Sequence, residues 1–175
     1  MGWQTSCNND TKWLSPNTQM KIRICFVSNS SSCSFIVIND NDYETKKIEM
    51  DGIENGYMRF SSENITHDDM YSKFNFCFIN YMYAKETATE NQEYHKYDFI
   101  IDTMEKFCTE YLDDSLFIKD VEDFFKKEIN NWAAYVDHQS CYYEEPEVAF
   151  LFDSVSNLEK FIFNDKSSIH VYFNG

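Results

Sequence analysis

The chain has 175 residues, a formal net charge of −15, an apolar share of 43% and an aromatic share of 18%, with 16 Phe and 12 Tyr. That length fits one domain, and so many large rings supply a sizeable core, which excludes a disordered chain. The charge excludes a bare nucleic-acid-binding module, whose affinity rests on neutralising phosphates, and no apolar run is long enough to span a membrane.

Residues 1–19 are polar apart from Trp3, Trp13 and Leu14 and read as an extension beside the domain. Ile22–Val27 and Phe35–Ile38 are apolar runs around a Ser/Asn cluster, a strand–turn–strand pattern. Tyr43–Met50 reads as a further strand, and Asp51-Gly52 and Asn55-Gly56 as turns before Tyr57–Phe60. Thr66 with Asp68 and Asp69 marks a helix start. Met70, Phe74, Cys77, Phe78, Tyr81 and Met82 then recur at helical spacing, and polar Lys85–Glu93 separates this helix from the next. The second helix carries Tyr97, Ile101, Met104, Cys108 and Tyr111 on one face and Asp98, Asp102 and Glu105 on a neighbouring stripe. A third, capped by Asp113-Asp114-Ser115, has Val121, Phe124, Phe125, Ile129 and Trp132 as its apolar side. Asp137–Glu147 reads as a loop, Val148–Phe152 as a buried strand, Asp153 or Ser154 as the cap of a short helix through Ile162, and Ile169–Phe173 as a last strand. The pattern predicts an α+β fold: a small mixed or antiparallel sheet, built from the N- and C-terminal segments, packed against three to four helices. It makes 20–175 a single domain. Only 4 Gly and 2 Pro argue against a barrel or sandwich of many tight turns.

The segment Lys21-Ile22-Arg23, Phe26-Val27-Ser28-Asn29-Ser30-Ser31-Ser32 and Ser34-Phe35-Ile36-Val37 resembles the opening of small uncharacterised proteins of bacteriophages and their hosts, which begin M-K-I-R-x-G-F-V-S-N-S-S-S-S-S-F. Met20 matches their start methionine, while Cys25 replaces a Gly and Cys33 a Ser. The resemblance implies a phage or mobile-element origin, with the host cytoplasm as the place of action. It implies no catalytic residue.

Six cysteines, none in a C-x-x-C, are expected as free thiols of a reducing compartment. His138 and Cys141, three apart beside Glu144 and Glu145, are the candidates for a Cys/His enzyme or a metal site, with His170, Cys25 or Cys33 to complete it. His67 and His95 read as surface residues. The serine run carries no nucleophile elbow and reads as a turn. Met1-Gly2-Trp3-Gln4-Thr5-Ser6 fits a myristoylation pattern, which a phage source makes irrelevant. No phosphate loop, dinucleotide fingerprint, zinc-protease motif or calcium loop occurs, and no cofactor is implied.

The charge is uneven, net −2 over residues 1–65 and net −13 over 66–175. Carboxylates crowd the middle helices, and like charges held together cost stability. The expected function is therefore a non-catalytic acidic module that binds a basic host protein. It would occupy a nucleic-acid-binding surface of a defence protein and bind no nucleic acid directly. The partner-binding candidates are Asp98, Asp102, Glu105, Asp120, Glu122 and Asp123. A structural component of a phage particle and a small Cys/His enzyme are the alternatives.

Overall fold

The computed structural model describes residues 22–25, 32–61, 64–91, 94–136 and 142–173. The extension 1–19, Met20 and the turn before Ser32 lie outside them, as do His138 and Cys141. The fold is α+β, with six helices and two small sheets among the described residues.

The larger sheet contains β1 (Ile22–Cys25), β2 (Ser32–Ile38), β4 (Ile65–His67) and β6 (Ser168–Phe173) in the order β1-β2-β6-β4, every pair antiparallel. The two strands expected on either side of the Ser/Asn cluster are therefore paired, with Ile24 opposite Ile36. The expected final strand takes the centre of the sheet, with Ile36 opposite Ile169. Alternation then puts Ile36, Ile38, Ile169 and Val171 in the core. A second, two-stranded parallel ladder pairs β3 (Arg59–Phe60) with β5 (Tyr135–Val136). Phe60 and Val136 point inward, and Arg59 is exposed.

The helices are α1 (Met50–Asn55), α2 (Met70–Asn91), α3 (Tyr94–Tyr111), α4 (Ile118–Asn130), α5 (Pro146–Leu151) and α6 (Val155–Ile162). At the start of α2 the Asp69 carboxylate accepts the Ser72 N–H at 2.8 Å; the helix thus starts later than the expected Thr66, which lies in β4. Every side chain from Ser72 to Tyr81 is buried, so this half of α2 is the central rod of the molecule rather than a one-faced surface helix. Aromatic pairs tie it to its neighbours. Phe74 meets Phe107 of α3 at 6.4 Å, Phe78 stacks on Phe125 of α4 at 5.0 Å, and Phe76 meets Phe161 of α6 at 6.3 Å. One cluster of buried apolar side chains runs from β2 and β6 through all six helices.

Four sequence expectations are corrected. Tyr43–Met50 is not a strand: its one bridge sets Ile48 beside Leu112, and the chain turns at once into α1. Val148–Phe152 is not a strand either. It belongs to α5, where Pro146 occupies the first turn without losing a hydrogen bond. Lys85–Glu93 does not separate two helices at its start, because α2 runs on to Asn91. Trp132 is not on the apolar side of α4 but 74% exposed. The helix ends in a Schellman motif, with Ala133 N–H bonded to Glu128 O at 2.8 Å and Trp132 N–H to Ile129 O at 3.0 Å. Trp132 takes the left-handed position of that motif, φ 58°, where glycine is usual and a bulky residue costs about 1–2 kcal/mol.

Candidate functional site

The six carboxylates singled out by the sequence divide into groups. Asp98 and Asp102 are exposed along α3, one turn apart, and Asp98 lies 3.4 Å from the His95 ring. Asp120 accepts the Phe117 N–H at 3.1 Å and so closes the first turn of α4. Glu105 and Glu122 converge from α3 and α4 on Lys85 of α2. Lys85 Nζ is 2.7 Å from Glu122 and 3.3 Å from Glu105, and it donates to the Tyr81 hydroxyl at 2.8 Å. Tyr81 in turn donates to Glu122 at 2.6 Å. Asp123 pairs with Lys119 at 2.6 Å. Burial alone would raise the Glu122 carboxyl, but the Lys85 ammonium and Tyr81 hydroxyl outweigh it and hold the group below the usual carboxylate range. The Tyr81 hydroxyl is pushed up, first by burial and then by the two glutamates. This node joins three helices, with one lysine shared between two glutamates.

A different set of carboxylates makes no close ion pair among the described residues. Asp42 and Glu44 of the segment before α1, Asp68 and Asp69 at the head of α2, and Asp165 after α6 line one pocket of about 370 Å³ with Lys46 and Lys73. None of the five forms an ion pair among the described residues. Met70, Ile162 and Phe163 supply apolar wall. Lys73 is 1% exposed and donates to the backbone carbonyls of Asn164 at 2.7 Å and Ser167 at 3.1 Å. Burial lowers its pKa to about 8, against the pull of Asp68, Asp69 and Asp165. The sequence offers one trace of Lys73, a lone cation inside the apolar run of α2. It offers none of the pocket, whose walls come from three distant segments.

The Cys/His candidates do not assemble among the described residues. The register sets Cys25 opposite Phe35 and Cys33 opposite Tyr172, so the two are not cross-strand partners. Both ring nitrogens of His170 are engaged, Nδ1 with Thr66 Oγ1 at 2.9 Å and Nε2 with Ser168 Oγ at 2.7 Å. His67 is not a surface residue: it is buried and stacks on Tyr57 at 4.1 Å. Cys77 and Cys108 are free and buried, and burial pushes both thiols up, away from the reactive thiolate. Among the described residues no group of three His, Cys, Asp or Glu side chains is arranged to hold a metal ion. No helix among them is long and apolar enough to cross a membrane.

No family model matches the chain, and neither a curated protein nor a solved structure is detectably similar to it.

Proposed function

We propose that the chain is a recognition module without catalysis that docks, through carboxylates, on a basic surface of another protein. The observation that carries this reading is the pocket of Asp42, Glu44, Asp68, Asp69 and Asp165, five carboxylates facing two lysines. Elsewhere the lysines are largely spent on internal pairs: Lys47 with Asp114, Lys85 with Glu105 and Glu122, Lys96 with Glu144, Lys119 with Asp123, Lys160 with Asp40. Five of the carboxylates that form no ion pair among the described residues line this one pocket. An acidic rim over apolar wall suits an arginine or lysine, whose stem is apolar and whose head is charged. The resemblance of residues 20–37 to phage proteins makes host proteins that handle nucleic acid the class to test first.

The test is capture from host lysate with the tagged chain at low and high salt, followed by affinity measurement on the retained protein. Binding is expected to weaken as salt rises. Reversing Asp42 and Asp165 together to Lys is expected to weaken it at least about tenfold, and reversing the α3 pair Asp98 and Asp102 to weaken it less. A greater loss from the α3 pair would move the interface to α3. Binding indifferent to salt and to both pairs would end the reading.

A further inference from the structure

Of the two lysines that line the carboxylate pocket, Lys46 is exposed and Lys73 is enclosed. An ammonium carries three N–H bonds, and Lys73 directs two of them to the carbonyls of Asn164 and Ser167. A neutral amine keeps two N–H bonds, enough to serve both carbonyls after a proton has left.

The turn around Lys73 is also fixed from elsewhere. Asn164 Nδ2 donates to the carbonyl of Asn39 at 2.8 Å, the Asn39 N–H donates to Ser167 Oγ at 2.9 Å, and Ser167 Oγ donates to the carbonyl of Lys160 at 2.8 Å. Asn39, Asn164 and Ser167 are all buried. Their network ties together the two segments that carry Asp42 and Asp165. Loss of a proton from Lys73 therefore changes the charge of the pocket and leaves its walls in place.

The charged groups facing Lys73 come from three segments. Asp68 and Asp69 stand at the head of its own helix, Asp165 follows α6, and Asp42, Glu44 and Lys46 belong to the segment before α1. Tyr43 and Cys77 are also near, and burial pushes both up, so neither ionises around neutral pH. Burial opposes the Lys73 charge more than the carboxylates support it, and the amine titrates at about 8. A guanidinium entering the pocket brings a second positive charge into the same hollow. Arginine cannot give up its proton there, whereas Lys73 can.

We propose that the pocket takes an arginine of the partner protein, and that Lys73 releases its proton to solvent as the guanidinium enters. This inference rests on the reading of the pocket as a docking site and adds a control on it, a coupling of docking to pH. The sign follows from linkage: the bound cation favours the uncharged lysine, so affinity rises as pH passes upward through about 8 and levels off on either side. Two positive charges about 6 Å apart in a pocket open to water shift the balance between the two forms of Lys73 about tenfold.

The experiment is calorimetric titration of the full chain with the peptide acetyl-Arg-Arg-Arg-amide in HEPES and in Tris, whose different heats of ionisation count the protons released. At pH 8 about 0.4 proton per bound peptide is expected, and affinity is expected to rise about five- to tenfold from about pH 6.5 to about pH 9. Lys73→Met is expected to bind at the high-pH level throughout and Lys73→Arg at the low-pH level, each without the released proton. Equal heats in the two buffers and a flat affinity, with binding still lost when Asp42 and Asp165 are reversed to Lys, would overturn the coupling and leave the docking site standing. Proton release that persists in Lys73→Met would overturn it as well. A peptide that binds the doubly reversed chain as well as the wild type would overturn both the coupling and the site.

Discussion

Lys73 is the least expected residue of the core. Charged side chains are almost never fully enclosed without a counter-ion, yet its ammonium is in direct hydrogen-bond contact with two backbone carbonyls. Those carbonyls, of Asn164 and Ser167, lie just beyond α6 and have no helical partner of their own to lose. Lys73→Met fills similar volume but strands the Ser167 carbonyl and leaves that of Asn164 with the Ser167 N–H alone, and a loss of about 1–2 kcal/mol at pH 7 is expected in urea unfolding. The pH dependence carries a distinct sign. A lysine lowered to about 8 in the fold and near its ordinary 10.5 when unfolded weighs against the folded state below pH 8. Between about 8 and 10.5 the unfolded chain binds the extra proton, so that penalty fades as pH rises. The wild type should therefore gain on Lys73→Met across this window, read from urea midpoints at stepped pH. A gap that is constant or narrows would show that Lys73 is not enclosed as described.

Among the elements, α2, α3, α4, α6 and β6 were legible because their apolar residues repeat at the period of the structure they form, and Asp69 and Ser154 cap α2 and α6, whereas α4 starts after Phe117 rather than at Asp113-Asp114-Ser115. The misreadings of α5 and α1 have separate causes. In α5 the apolar run is too short for its period to distinguish strand from helix, and packing decided. In α1 the signals misled: Gly52 and Gly56 read as turn residues but serve close approach to α2. A methyl group on Gly52 would overlap the Tyr71 ring, and one on Gly56 would stand 2.6 Å from the Asn75 amide nitrogen. Tyr71 can swing, but the Asn75 amide is fixed by the carbonyls of Ile53 and Tyr57. Gly56→Ala should therefore cost about 1–3 kcal/mol and Gly52→Ala less, measured as denaturant midpoints. Equal costs would mean that α1 is not docked on Asn75. Periodicity also carried Trp132 too far, because it extrapolates a helix past the turn that ends it. Of the candidate site, the acidity was legible and its arrangement was not. Glu105, Glu122 and Asp123 meet lysines that only the fold brings near, and the unpaired carboxylates come from segments scattered from residue 42 to residue 165.

For the molecule as a whole, none of the described carboxylates is buried, so the excess charge is spread on the surface and repels itself. Raising NaCl from about 0.05 M to about 0.5 M should stabilise the fold by about 1 kcal/mol, a rise in melting temperature of about 2–4 °C. Calorimetry checks this, and a flat or falling melting temperature would contradict it. The order of the larger sheet has a consequence for how the chain is made. Its two central strands, β2 and β6, are joined across the sequence, as are Asn39 and Ser167, whose hydrogen bond links positions 128 apart. While a ribosome is still translating residues 39–167, β2 has been synthesised and its central partner has not. The helices α2 to α4 can pair locally as they emerge, but β2 must wait with an open edge until β6 is released from the exit tunnel. Strand edges left open invite pairing with other nascent chains. Sheet closure thus waits on the synthesis of β6, and chains interrupted before residue 168 are the ones a cell would have to guard from aggregation.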